Sequence, residues 1–340
     1  MAFHLQHLRH LPKQTLHYCT FLEYFCAAEL VHQFHKEQSL TIEGLKSIYF
    51  EHCQDDDWSE VLRLISGQIN GQFVGEILET LVNKTDITLW DGFSSLQEIP
   101  LAIWCFGEAR NISKLSSVGG LLFEHVCRLF QVRKNYLDGS FYTELLAATK
   151  ALNGKWWGAT QVDPTLKLKS DLGNNHIYWS QLNIAICKNR EMAIAFSVGP
   201  DWAVRNGAIM GLVDNWIDND TRQFLEYRAR EDENKRPRAT ALKVLAEHWR
   251  DDAIRQLLEM RAKEDSNQAI RTTAIRVLAN YWIDDTTREL LIERVKIDES
   301  EMPRLIALNA LSRHWNDITT GQLLVDWIRE DEGSFPIIWG

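Results

Sequence analysis

The sequence predicts an all-α chain: a helical N-terminal region followed by an α-solenoid of two-helix repeats. Three observations predict it. A tryptophan recurs every 33 residues in the last third of the chain, at Trp216, Trp249, Trp282 and Trp315. Each tryptophan carries a fixed set of neighbours: Arg205, Arg238, Arg271 and Arg304 eleven residues before it, then an alanine, a leucine and, two residues after it, an aspartate. No alternating strand pattern with Asn-Gly or Asp-Gly turns stands out anywhere. A strict period with four clear copies means one supersecondary unit repeated in tandem, and such stacks build binding surfaces more readily than active sites.

The elements follow in chain order. A periodic apolar segment runs from Pro12 to about Phe34, and residues 41–53 give a second helix. Asp57-Trp58-Ser59-Glu60 reads as a capping box, with Asp57 as cap and Glu60 reaching back. The helix it opens carries Trp58, Val61, Leu62 and Ile65. Segments 73–82, 98–110, 117–131 and 140–152 have the apolar content of further helices. Residues 153–178 break the pattern with Gly154, Gly158, Pro164, Gly173 and Asn174-Asn175. Helical character returns at 180–197 as a degenerate leading repeat. The expected organisation is therefore a helical domain over 1–152, a loop-rich connector over 153–199 and the solenoid over 200–340.

Within each repeat, Ala, Leu and Trp fall at i, i+4 and i+8, on one stripe of a helix such as 236–249, with the tryptophan closing the last turn. This places the tryptophan in the core, and Trp282→Ala is then expected to cost about 3–5 kcal/mol. A second stripe, Phe224-Leu225, Leu257-Leu258, Leu290-Leu291 and Leu323-Leu324, marks the second helix. The aspartate after each tryptophan stands at that helix's N-cap. Asp232, Asp265, Asp298 and Asp331 form a further column, and the first three precede the next arginine of the repeat by six residues. Stacked Arg and Asp columns predict hydrogen-bonded rungs between or within repeats, a structural role that fixes register.

An Asp followed by Arg in a two-helix unit resembles the HEAT repeat, and Pro237 and Pro303 suit the link between its helices. The ankyrin T-P-L-H and the tetratricopeptide signatures are absent. The first copy departs by having Gly199 at the aspartate position. The last has Gly321 and Gln322 around the position of Arg222, Arg255 and Arg288, and Trp327 at that of Arg228, Arg261 and Arg294. Atypical end repeats are expected of a capped stack.

Residues Thr20-Phe21-Leu22-Glu23-Tyr24-Phe25-Cys26-Ala27 carry a second resemblance, to a segment downstream of the nucleotide-binding core in NACHT-type STAND NTPases. Trp58–Ile65 resembles a helix that follows it in bacterial members. The resemblance implies a sensor or scaffold arm of an intracellular signalling system, with bacterial defence as one setting. It implies a separate P-loop NTPase as partner, because no G-x-x-x-x-G-K-[ST] occurs here: Gly154-Lys155 is followed by Trp156. The chain then stands as a sensor encoded alone or as the remnant of a split gene.

Composition narrows the function further. A net charge of −10 argues against nucleic acid as partner, and the stretch 200–331 holds 20 basic against 25 acidic residues. Six scattered cysteines (Cys19, Cys26, Cys53, Cys105, Cys127, Cys187) form no C-x-x-C pair and read as reduced thiols of a cytoplasmic protein. No run approaches 18 apolar residues, so no membrane span is expected. His4, His7, His10 and His17 crowd the N-terminus without a Cys or carboxylate at ligand spacing, and Asp55-Asp56-Asp57 reads as a helix start rather than a metal site. Trp156-Trp157 reads as a loop plug. No catalytic residue, cofactor or metal is expected. The leading function is a non-catalytic protein-binding module. The alternatives are a subunit of a HEAT-like bilin lyase or isomerase, whose pigment the Trp and Arg columns would grip, a chaperone-like scaffold, or a non-functional fragment.

Overall fold

The computed structural model describes residues 16–84, 97–132, 139–152, 176–315 and 317–330. These form α-helices, with one π-helical turn and one 3₁₀ turn, and among the described residues there is no strand. The chain divides into two compact units, Met1–Met192 and Ala193–Gly340. The groups His4, His7 and His10, the Trp156-Trp157 pair and Asp331 lie outside the described residues.

The first unit contains α1 (Leu16–His32), α2 (Ile42–His52), α3 (Asp56–Gln68), α4 (Gly71–Lys84), α5 (Glu98–Glu108), α6 (Ser116–Val132), α7 (Gly139–Ala151) and α8 (His176–Cys187). The helices pack in two rows. α1, α3, α5, α7 and α8 follow one another in one row, and α2, α4 and α6 in the other. The N-terminal unit is thus itself a stack of helix hairpins, although its sequence shows no fixed period. Its core holds Leu45, Tyr49, Leu62, Ile65, Phe106 and Phe130, all nearly inaccessible to solvent. The buried Tyr49 hydroxyl donates to the Leu62 carbonyl at 2.6 Å and meets Ser66 Oγ at 2.8 Å, so the one polar atom among these side chains is satisfied.

One cap differs from expectation. Asp55, in extended backbone conformation, is the N-cap of α3 and accepts from the Asp57 amide. Asp57 sits inside the first turn, and Glu60 pairs with Arg63 instead of reaching back. Three successive aspartates offer three candidate caps, and the chain uses the one whose φ and ψ lie outside the helix.

A short helix, α9 (Arg190–Ser197), spans the division between the units. The second unit then contains four helix pairs: α10 (Trp202–Asn215) with α11 (Asn219–Glu231), α12 (Lys235–His248) with α13 (Asp252–Glu264), α14 (Gln268–Tyr281) with α15 (Asp285–Ile297), and α16 (Glu301–His314) with α17 (Ile318–Glu330). The first helices of the pairs stack directly on one another, and the second helices of the first three pairs pack mainly against the first helix of the next pair. Small residues permit the close approach: Ala208, Ala241, Ala274 and Ala307 are each fully buried in that row. The predicted N-caps form. Asp218, Asp251, Asp284 and Asp317 accept from the amides of Thr221, Ile254, Thr287 and Thr320. Pro237 and Pro303 are placed differently from expectation. Each is the third residue of a helix rather than part of a link, where its missing N–H has no intrahelical acceptor to lose.

The tryptophans also differ. Leu212, Leu245, Leu278 and Leu311 are buried, but Trp216, Trp249, Trp282 and Trp315 are only half-buried. Each is a C-cap with non-helical backbone, and its amide donates to the leucine carbonyl four residues back. Eight residues along a helix turn through about 800°, so the tryptophan lies about 80° off the alanine. The change of backbone conformation at Trp282 (φ −129°, ψ 83°) turns it further. The rings of Trp249, Trp282 and Trp315 lean on the edge of the core instead of filling it. Trp282→Ala is accordingly expected to cost about 1–3 kcal/mol, roughly half the value for a buried ring. A urea titration followed by circular dichroism checks this; a loss above about 4 kcal/mol would restore the ring to the core.

Candidate functional site

The Arg and Asp columns meet, and they meet between repeats. Arg205 binds Asp232 through Nε at 3.0 Å and Nη2 at 2.8 Å. Arg271 binds Asp298 in the same bidentate way, at 2.9 and 2.8 Å. Arg238 reaches Asp265 through Nη2 alone, at 3.3 Å. In each case the aspartate lies 27 residues ahead, in the linker that leads into the next pair. The aspartate six residues before the arginine also takes part, through its backbone. Arg271 Nη1 donates to the Asp265 carbonyl at 2.8 Å. In the first copy the Gly199 carbonyl accepts the same bond from Arg205, at 3.0 Å. Replacing aspartate with glycine at 199 therefore leaves this bond intact.

Each ladder aspartate also holds its own linker. Asp232, Asp265 and Asp298 accept from the amides of Asn234, Asn267 and Ser300, two residues on, a turn to which aspartate is suited. Burial raises the Asp232 and Asp298 carboxyls, but the hydrogen bonds from Arg205 and Arg271, the amide bonds from Asn234 and Ser300 and the arginine charges together outweigh it and leave both below the ordinary carboxylate range.

A second ladder was not legible in the column pattern. Arg222, Arg255 and Arg288, in the first turns of α11, α13 and α15, bind Asp251, Asp284 and Asp317, the N-caps of the next second helix. Arg255 is bidentate, with both bonds at 2.7 Å. The offset is 29 residues, and reading it requires knowing which helix faces which. A third arginine column reaches backwards: Arg261 donates to the Arg230 carbonyl and Arg294 to the Lys263 carbonyl, where cations suit the negative end of a helix. Adjacent repeats are thus tied along both edges of the stack.

These pairs give the stack a defined acid sensitivity. The hydrogen bonds from Arg222 and Arg255 lower the Asp251 and Asp284 carboxyls, as those from Arg205 and Arg271 do for Asp232 and Asp298. A carboxyl lowered in the folded state binds its proton more readily in the unfolded chain, whose aspartates titrate near about 3.9. The stabilisation is complete above that value and is lost as pH falls through the lower folded values. Melting temperature should hold steady from about pH 7 to pH 5 and fall steeply below about pH 4. A flat melting profile down to pH 3 would contradict the ladders.

Burial pushes the Cys53 thiol up to about 11 and the Cys105 thiol up to about 12, far from the thiolate that nucleophilic work needs. Among the described residues no group of three or more His, Cys, Asp or Glu is placed to hold a metal ion. Of the arginine column, Arg205, Arg238 and Arg271 pair with aspartates. Among the described residues no helix is long and apolar enough to cross a membrane.

The surface offers two apolar features instead. α1 exposes Phe21 at 63% and Phe25 at 59%, together with Leu22 and Tyr24. The turns between the helices of each pair carry the half-buried tryptophan row.

Comparison with known proteins agrees with this architecture. The HEAT repeat family profile matches residues 192–279. No curated protein and no solved structure matches the chain. The four stacked pairs define a repeat-helical protein, an α-solenoid that is similar to HEAT repeats over residues 192–279, and HEAT repeats commonly mediate protein interactions.

Proposed function

We propose that this chain is a non-catalytic scaffold that binds a partner protein and acts as the sensor or scaffold arm of a NACHT-type signalling system in the cytoplasm. The observation that carries the reading is α1. Apart from Glu23, Glu29 and its histidines this helix is largely apolar, and its apolar residues are not confined to one face, as in a segment buried in a larger assembly. Its Phe21, Leu22, Tyr24 and Phe25 nevertheless face solvent, and clustered exposed aromatics mark an interaction surface. The same residues carry the resemblance to the segment that follows the nucleotide-binding core, which makes a separate P-loop NTPase the partner this face fits.

The test is co-purification of the tagged chain from its own host, beside a Phe21→Ser/Phe25→Ser variant. These two side chains are more than half exposed, so the variant should keep the parent's melting curve. Recovery of a P-loop protein with the parent and its loss with the variant is the expected result. A different client would retain the scaffold reading and remove the NACHT assignment. Failure of the parent to recover any protein reproducibly would remove both.

A further inference from the structure

The tryptophan turns form one continuous edge of the second unit. Arg222–Asp251, Arg255–Asp284 and Arg288–Asp317 tie each turn to the pair before it. The Arg250 guanidinium lies over the Tyr281 ring at 4.5 Å, so neighbouring turns touch. Beside the half-buried rings, Ile217 is 58% and Ile283 55% exposed. The three ion pairs neutralise themselves. Among the described residues, the turns and their flanking helix ends also expose the carboxylates of Asp214, Asp220, Glu247, Asp252 and Asp285, beside the guanidinium groups of Arg250 and Arg313. The edge is therefore aromatic, apolar and negatively charged, and it repeats with the helix pairs.

From this we infer that the tryptophan edge docks an extended, basic segment of a partner protein, with a Lys or Arg seated at successive repeats. The inference rests on the scaffold reading above and adds the chemistry of what is bound. Three arguments select this occupant. The charge is complementary to a cation and repels an acidic chain. Tryptophan is the ring that attracts a cation most strongly, and Arg250 over Tyr281 shows a guanidinium already seated on this row. Spacing supplies the third. Stacked helices lie about 8–10 Å apart, and a chain in the polyproline II conformation advances about 3.1 Å per residue with about three residues per turn. Every third residue of the segment then returns to the same face and meets the next repeat, and about ten residues span the four turns.

The experiment uses the full chain and fluorescence anisotropy of labelled peptides with lysine at every third position. Comparison peptides have the same composition with the lysines in one block, or glutamate in place of lysine. The expected order is third-position lysine tightest, block lysine weaker, glutamate undetectable, with affinity falling as salt rises. Asp252→Lys/Asp285→Lys should weaken the first peptide by about tenfold or more. Glu231→Lys/Glu264→Lys, at the opposite ends of the second helices, should leave it within about twofold. Both pairs are exposed and cap no helix, and melting curves confirm that each variant folds. Equal weakening by the two variants, equal binding of spaced and blocked lysines, or no binding at all overturns the inference. A partner recovered by the parent chain distinguishes the two readings. If Asp252→Lys/Asp285→Lys retains that partner at full affinity, the edge assignment falls and the scaffold stands. If the parent recovers no partner, the scaffold reading itself falls.

Discussion

Asp298→Ala is expected to destabilise the second unit by about 3–4 kcal/mol. Asp298 and Arg271 are 5% and 8% exposed. The carboxylate accepts two bonds from the guanidinium and one from the Ser300 amide. Truncation leaves a buried positive charge whose remaining partners are the Ser300 hydroxyl and the carbonyls of Asp265 and Ser266. The loss is therefore larger than that of a surface ion pair, which is worth about 0–1 kcal/mol. It reflects the stranded arginine more than the strength of the bridge. The double variant Arg271→Met/Asp298→Leu tests this distinction, because removing both charges should recover much of the loss. Urea unfolding of the parent, the single variant and the double variant measures all three. A single variant within about 1 kcal/mol of the parent would mean that solvent already screens the pair. A double variant as unstable as the single one would mean that linker geometry, rather than charge, governs the site.

The solenoid was legible because its period is strict. One residue per repeat at fixed offsets identifies stripe, cap and ladder together, and the structure forms the helices where the columns put them. What the columns do not contain is which repeat a side chain reaches. Arg271 and Asp265 are six residues apart and look like natural partners, yet the side-chain partner is Asp298, 27 residues on, and Asp265 contributes its carbonyl. The Arg255–Asp284 rung was invisible for the same reason. The tryptophans stand at the edge of the core although they close an apolar stripe, because a stripe of i, i+4 and i+8 drifts off the core side just where the helix ends. In the first unit the helices were legible singly but their two-row stacking was not. Helix and linker lengths vary there, so no column repeats. The exposed face of α1 was also hidden. A segment with Phe21, Leu22, Phe25, Leu30 and Val31 reads as core, and only the structure separates the half that packs from the half that does not.

Leu278→Ala is expected to cost about 2–5 kcal/mol, and its position in the stack makes it more informative than the size of the loss. Leu278 is fully buried in the row of first helices, and its carbonyl accepts the capping amide of Trp282. Truncating it opens a cavity in α14, a helix that packs against α12 and α13 on one side and α16 on the other. In a stack where each repeat contacts only its neighbours, stability is a sum of repeat and interface contributions. A cavity in a middle repeat weakens two interfaces, whereas the same change at Leu311, in the fourth pair, weakens chiefly the interface with the third. Leu278→Ala should therefore destabilise more than Leu311→Ala, although both side chains are fully buried and chemically identical. It should also broaden the urea transition, because the pairs on either side of α14 become less strongly coupled. The ion-pair ladders oppose that uncoupling: Arg238–Asp265, Arg255–Asp284 and Arg271–Asp298 still bridge the damaged repeat. Combining Leu278→Ala with Asp298→Ala should then give two resolved transitions where the parent gives one. Equal losses for Leu278→Ala and Leu311→Ala, with a single sharp transition in the combined variant, would show that the four pairs unfold as one block and that the nearest-neighbour description fails for this solenoid.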